Sequence, residues 1–272
     1  MPRFKLTIEY AGTRYSGWQI QKNASTVQGQ IDGAVRIVTG RKDFELYGSG
    51  RTDAGVHALG QVAHLDVSTN LSPDALAARL NEELPDDINI LEAVQVPHRF
   101  HARHHAIARR YLYQIARRRT AADLAYVWWV KEPLDVGKMR EAARAFVGMR
   151  DFRSFAVATA RDEEAAPPST LVLVDQLEIV DNGDLLLISV QGSHFLWKMV
   201  RRMVGVLVEI GRGGLPADAI RTMIAEGSTA PARLTAPPSG LFLEQVFYEP
   251  VTARRTGTPP TRTPRTRRTT SS

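Results

Sequence analysis

Gly48-Ser49-Gly50-Arg51-Thr52-Asp53-Ala54-Gly55-Val56-His57-Ala58 lies between two strand-like runs, Phe44 to Tyr47 and Gly60 to Val67, and reading it as the loop that joins them sets the order of the surrounding elements. Glycines at 48, 50 and 55 permit positive φ and close approach by a ligand, so Asp53 projects from a fixed backbone instead of a solvated tip. An ordinary turn closed by an Asx cap uses the same residue types, so this segment has to be weighed with its surroundings.

Upstream, Phe4 to Tyr10 alternates with period two, and Thr26 to Thr39 places Val27, Ile31, Ala34, Val35 and Val38 at helical spacing. Downstream, Ser72-Pro73-Asp74 opens a helix through Leu84, with proline in its first turn, and Ile88 to Val96 reads as a strand. The order is β-α-β-β-α-β, the split βαβ or ferredoxin-like unit. The pattern starts again with a strand at Ala108 to Ile115 and a helix from Val136 to Val147. Leu171 to Val180 and Leu185 to Val190 follow as a hairpin about Asp181-Asn182-Gly183-Asp184. Helices over Phe195 to Ile210 and Ala217 to Ala225 and a strand over Leu241 to Tyr248 complete it. The expected fold is α+β: two ferredoxin-like βα-rich halves, residues 1–105 and 106–250, whose sheets lie side by side with a cleft near the middle. Ala160 to Thr170 is a polar insertion, and 251–272 is a basic Thr/Arg/Pro tail too poor in apolar residues to order itself.

With 272 residues and 43% hydrophobic content the chain has material for one large core or two smaller ones. It has no cysteine, which excludes disulfides, thiolate chemistry and cysteine zinc sites. Neither a signal peptide nor a run of about 20 apolar residues is present, so a soluble, cytoplasmic protein with no membrane partner is expected. The net charge of +6 is uneven: six arginines follow Pro250, and the other basic residues balance the 29 acids. A nucleic-acid surface must therefore be a local patch. Ala93 to Ala122 contains no acid and interleaves seven arginines (99, 103, 109, 110, 117, 118 and 119) with His98, His101, His104, His105, Phe100, Tyr111 and Tyr113. Guanidinium groups for phosphates beside rings for unstacked bases suit looped RNA; a strand edge guarded by charge would look similar. His98, His101, His104 and His105, with His64 and Asp66, raise a metal-dependent hydrolase, but they lack a ligand pattern such as H-E-x-x-H, and no metal is expected.

Gly50 to Ala58 closely resembles the catalytic motif of the tRNA pseudouridine synthase A family. Phe100-His101-Ala102-Arg103 with Ala108-Arg109-Arg110-Tyr111 resembles its second motif, Phe195 to Arg201 its third, and Ala236 to Leu243 its fourth. The resemblance runs from Phe4 to about Pro250 and leaves the tail outside. It departs from the family at Trp197-Lys198, before the expected Met-Val-Arg, and in the insertion after Ala160. It implies an extended antiparallel sheet of the pseudouridine-synthase type with a central RNA-binding cleft. The activity it implies is isomerisation of uridine to pseudouridine in the anticodon stem-loop of tRNAs, at tRNA positions 38, 39 and 40, by a homodimer without cofactor or metal. By motif match Asp53 is the catalytic carboxylate, acting on the base, on the ribose, or by assisting deprotonation of the sugar. Arg201 is its salt-bridge partner, Arg51 the side chain that fills the place of a flipped nucleotide, and Tyr111 the ring stacked on uracil. Leu243 or Leu241 walls the pocket. Phe100, His101, Ala102, Arg103 and His104, with Arg109 and Arg110, contact the tRNA. A non-catalytic RNA-binding module on the same sheets is the competing reading.

Overall fold

The structure, a computed structural model, describes residues 1–157 and 169–248. Most of the polar insertion expected at 160–170 and the whole tail expected from 251 lie outside the described residues. The first half contains β1 (Arg3–Tyr10), α1 (Val27–Thr39), β2 (Glu45–Gly48), β3 (His57–Asp66), α2 (Pro73–Glu83) and β4 (Ile88–Val96). The second contains β5 (Ala108–Ala116), β6 (Trp128–Trp129), α3 (Val136–Ala143), β7 (Gly148–Asp151), β8 (Leu171–Asn182) and β9 (Leu185–Gly192). It continues through α4 (Met199–Gly211), α5 (Ala219–Glu226), α6 (Ala230–Arg233) and β10 (Leu241–Phe247).

Local chemistry sets the helix limits. Thr26 accepts from the Gly29 N–H at the start of α1, and Gly40 closes it at φ 67°. Ser72 caps α2 through the Ala75 N–H, with Pro73 in the first turn. The strands form one sheet in the order β4-β1-β3-β10-β5-β9-β8-β7, with β2 on β3 and β6 on β5. Each half thus repeats one order, β4-β1-β3-β2 and β10-β5-β9-β8, as the ferredoxin-like reading requires. Pairing is antiparallel except between β3 and β10 and between β5 and β6.

β1 occupies one edge of β3, so β2 and β10 share the other, pairing at Ala63–Asp66 and at His57–Ala58 respectively. The partner at its start explains why β3 begins at His57 and not at Gly60. Phe4, Leu6, Ile8 and Tyr10 point to one face, where Ile31 and Val35 of α1 and Leu76 and Leu80 of α2 complete the first core. Register carries that face through Ala58 and Leu243 to Tyr111, and on to Leu241 and Tyr113. There Met139 of α3 and Met199, Met203 and Leu207 of α4 build the second core. The sheet between the two helix pairs is the floor of a cleft.

Helix α4 begins four residues later than its apolar spacing predicts. Lys198 stands at φ 61° before it, and residues 195–198 line the cleft instead of winding into the helix. β6, β7 and α6, of two to four residues, are too short to show a period.

Two helical glycines separate close approach from ordinary propensity. A Cβ at Gly205 of α4 would lie 1.5 Å from the Leu234 carbonyl oxygen, whereas one at Gly33 of α1 meets nothing within 4 Å. Gly33→Ala is expected to stabilise the fold by about 0.5–1 kcal/mol and Gly205→Ala to destabilise it by about 3 kcal/mol. Urea denaturation checks both, and equal effects would contradict the packing of α4 on the 234–236 segment.

Candidate active site

The loop between β2 and β3 is fixed along its whole length. Ser49 N–H donates to the Val62 carbonyl at 2.7 Å, Trp18 N–H to the Thr52 carbonyl at 3.1 Å, and Gly55 N–H to the Tyr15 carbonyl at 3.3 Å. Gln61, fully buried, accepts from Ser49 Oγ and donates to the Gly50 carbonyl, while the Tyr10 and Thr52 hydroxyls pair at 2.8 Å. Gly55 does take a positive φ, 77°, and a Cβ on Gly48 would strike the Trp18 indole at 2.6 Å. Gly50 has neither constraint. His57 accepts the Gly12 N–H at Nδ1 and donates from Nε2 to the Ala125 carbonyl, each at 3.1 Å. Burial pushes its imidazole down in pKa, so it serves as a neutral brace at the end of the loop.

Asp53 extends from this frame into a cleft of about 990 Å³ lined by the loop, Tyr111, residues 194–201, Leu241 and Leu243. Its Oδ2 lies 3.1 Å from a terminal guanidinium nitrogen of Arg201, with both side chains largely shielded, 24% and 13% exposed. Arg201 is held in turn by an Nε donation to the Ala236 carbonyl at 2.7 Å. The other oxygen, Oδ1, accepts the Trp197 indole N–H at 3.0 Å. The carboxylate thus comes from the first half and both of its donors from the second. The ion pair on one oxygen and the indole bond on the other together define the orientation of the carboxylate.

The floor is apolar and cationic. Burial pushes the Tyr111 phenol up to about 12, opposed by Arg109 and aided by the charge of Asp53, so the group is a neutral hydroxyl near pH 7. Phe195 meets its ring edge-on at 5.2 Å. Among the described residues Arg109 has no carboxylate partner. It donates to the carbonyls of Ser49, Arg103, Ala106 and Ser193, tying the loop, the 103–106 segment and the approach to α4 to one side chain.

Asp53, Arg51, Tyr111, Arg201, Arg103, Arg109, Leu241 and Leu243 all line the cleft, with Arg51 exposed at its surface. The remaining candidates do not meet there. Arg110 follows Arg109 on the strand and turns to the opposite face, where it donates to Gln191 and stacks over Phe247. Ala102 is fully buried and Phe100 packs on Tyr248. The His101 and His104 rings meet at a tilt, 4.2 Å between centroids, next to Tyr47. Of the acid-free stretch, Arg117 and Arg118 are spent on Asp181 and Asp184 at the β8–β9 turn. Among the described residues no group of three or more His, Asp or Glu is arranged to hold a metal ion, including the histidines near Asp66. Sequence reasoning gave Trp197 no role; its only signal was its place as a departure within the third motif.

A family model described as tRNA pseudouridine synthase matches residues 6–105 and 142–249. These spans contain Asp53, Arg201 and Leu243, and Tyr111 falls between them. The tRNA pseudouridine synthase A of Nitrobacter hamburgensis is 43% identical over 251 residues, covering 91% of this chain and 100% of its own. That of Nitrobacter winogradskyi is 44% identical over 252 residues (92% and 96%), and that of Agrobacterium fabrum 39% over 256 residues (92% and 94%). Among solved structures, a chain of a Cbf5-Nop10-Gar1 complex aligns over 73% of this chain and 46% of its own at 10% identity, with a TM-score of 0.33 that is too low to bear on the fold.

The segment after β4 rests on a buried imidazole. His64 accepts the Ala102 N–H at Nδ1, stacks on Tyr47 and meets the His101 ring at a tilt. Burial, aided by Arg3, His101 and His98 and opposed by Asp66, pushes it down to about 4 from 6.5. Between those values the unfolded chain holds the extra proton, so this contribution to stability is complete above pH 6.5 and is lost as pH falls towards 4. At most about 3 kcal/mol is involved. Chemical denaturation from pH 7 to 4.5 is expected to show stability falling, and the fall is expected to be shallower in His64→Gln.

Proposed function

The chain belongs to the tRNA pseudouridine synthase family, and on that footing we propose that Asp53 is the carboxylate through which it isomerises uridine to pseudouridine at positions 38, 39 and 40 of the tRNA anticodon stem-loop. As a member of the family it is an isomerase acting on tRNA uridine. The rearrangement breaks the bond from uracil N1 to ribose C1′, turns the base and forms a bond from C5 to C1′. C5 gives up its proton and N1 gains one, so no oxidant and no co-substrate are consumed, and the proposal includes no cofactor or metal.

The observation that carries the reading is the Asp53 carboxylate, rigidly based and engaged at both oxygens, facing an apolar and cationic cleft. A negatively charged group there serves attack on the base, attack on the ribose or removal of a sugar proton. The target uridine must leave its stack at a cost of a few kcal/mol. Arg51, exposed at the cleft, fills the vacancy, since its planar guanidinium both stacks and binds phosphate. Tyr111 stacks on the flipped uracil and presents its hydroxyl towards C5, while Leu241 and Leu243 together wall the base, both being at the cleft. Arg103, exposed at the cleft, and His101 and His104 beside it take the tRNA backbone, and Arg109 holds their segment in place. We also infer that the protein acts in the cytoplasm, where its substrate is made, and as a homodimer, so that one tRNA spans more surface than a single cleft supplies.

Asp53→Asn is the discriminating variant. Tritium release from 5-³H-uridine-labelled, unmodified tRNA is expected to fall by at least about 1,000-fold, with tRNA affinity within about threefold of wild type. Normal turnover by this variant removes Asp53 from the chemistry. Release that maps outside the anticodon arm overturns the site assignment alone. Sedimentation equilibrium is expected to give twice the 30.2 kDa chain mass, and a monomer that retains full activity would remove the dimer from the proposal.

A further inference from the structure

Trp197 is 48% exposed at the cleft, yet three contacts hold it. Its indole N–H donates to Asp53 Oδ1 at 3.0 Å, and its carbonyl accepts the Val157 N–H at 3.3 Å. The Lys198 ammonium lies 5.1 Å from the ring centroid. Lys198 itself adopts φ 61°, a left-handed conformation that costs a non-glycine residue about 1 kcal/mol or more. That turn stops the chain from running straight into α4 and keeps the indole over the loop. Burial does not account for a half-exposed ring beside a strained backbone; the bond to the carboxylate does.

We propose that Trp197 is a positioning residue that fixes the rotation of the Asp53 carboxylate, a role that rests on Asp53 being the reacting group. Rotation about the last bond of an aspartate is soft and roughly two-fold, and one contact from Arg201 to Oδ2 leaves it free to swing. A second donor on Oδ1, carried by the same stretch of chain but from a different direction, removes that freedom. The two oxygens become inequivalent before substrate arrives, and the remaining lone pairs are presented in a single orientation. The gain is in the chemical step, where a small misplacement of a reacting group is costly.

Trp197→Phe keeps an aromatic ring at the cleft and deletes the donor. With anticodon-arm tRNA, kcat is expected to fall about tenfold while KM stays within about twofold. In wild type labelled with ¹⁵N at tryptophan, the indole resonance that Trp197→Phe removes is expected to move in Asp53→Asn, while those of Trp18, Trp128 and Trp129 stay in place. An unchanged kcat in Trp197→Phe overturns the proposal. So does a loss carried by KM, which assigns the ring to base stacking, or an indole resonance indifferent to Asp53→Asn. Full turnover by Asp53→Asn instead defeats the reading of Asp53 itself. An inactive Asp53→Asn beside a wild-type rate in Trp197→Phe defeats only the role of Trp197.

Discussion

The seam between β3 and β10 is the constraint on which the rest of the structure depends. Only His57 and Ala58 pair with Phe242 and Leu243, yet this parallel contact joins two units that otherwise repeat one strand order. Because β2 takes the remainder of the same edge of β3, the loop connecting β2 to β3 has to leave the sheet where the halves meet. A Cβ on Gly60 at this junction would lie 2.7 Å from the Glu244 carbonyl oxygen, so the two backbones touch with no side chain between them. The position of Asp53 is therefore a result of topology, and the local loop chemistry only sharpens it.

The electrostatics follow the same division. The acid is borne by one half, and its guanidinium and indole donors by the other. Arg109 crosses the same boundary with no acid to meet it among the described residues, and burial lowers its pKa. Its two terminal nitrogens make four bonds to backbone carbonyls instead, which satisfy a guanidinium without cancelling its charge. The cleft therefore keeps uncompensated positive charge beside one oriented carboxylate, a combination that favours an anionic polymer over a neutral ligand.

Much of this was legible in the sequence because the signals were local. Alternation in Phe4 to Tyr10, the Thr26 and Ser72 caps and the Asp-Asn-Gly-Asp turn each report on a few neighbouring residues, and together they yielded the repeated βα order. The side chains gathered around Asp53 were legible through motifs whose members the fold brings together from distant positions. Three features were not. Helical spacing in Phe195 to Ile210 cannot reveal that Lys198 turns left-handed, because that depends on what the 195–198 segment must face across the cleft. Arg109 and Arg110 look alike in a basic run, and only their alternation on β5, once its cleft face is known, sends one to the cleft and the other behind it. The Trp197 bond to Asp53 links residues 144 positions apart and has no local signature.

The place of β10 also bears on how the chain is made. It is the last strand of the described chain and it closes the middle of the sheet, so β3 leaves the ribosome with His57 and Ala58 unpaired on the edge opposite β1. At 5–20 residues per second, roughly 9–35 s of synthesis separate Asp66 from Leu241. Throughout that interval the nascent protein carries an open strand edge, a liability for pairing with other chains. It also carries a carboxylate that has not met its arginine. A product truncated before Leu241 therefore lacks both the strand that joins the two halves and the Leu241 and Leu243 wall of the cleft.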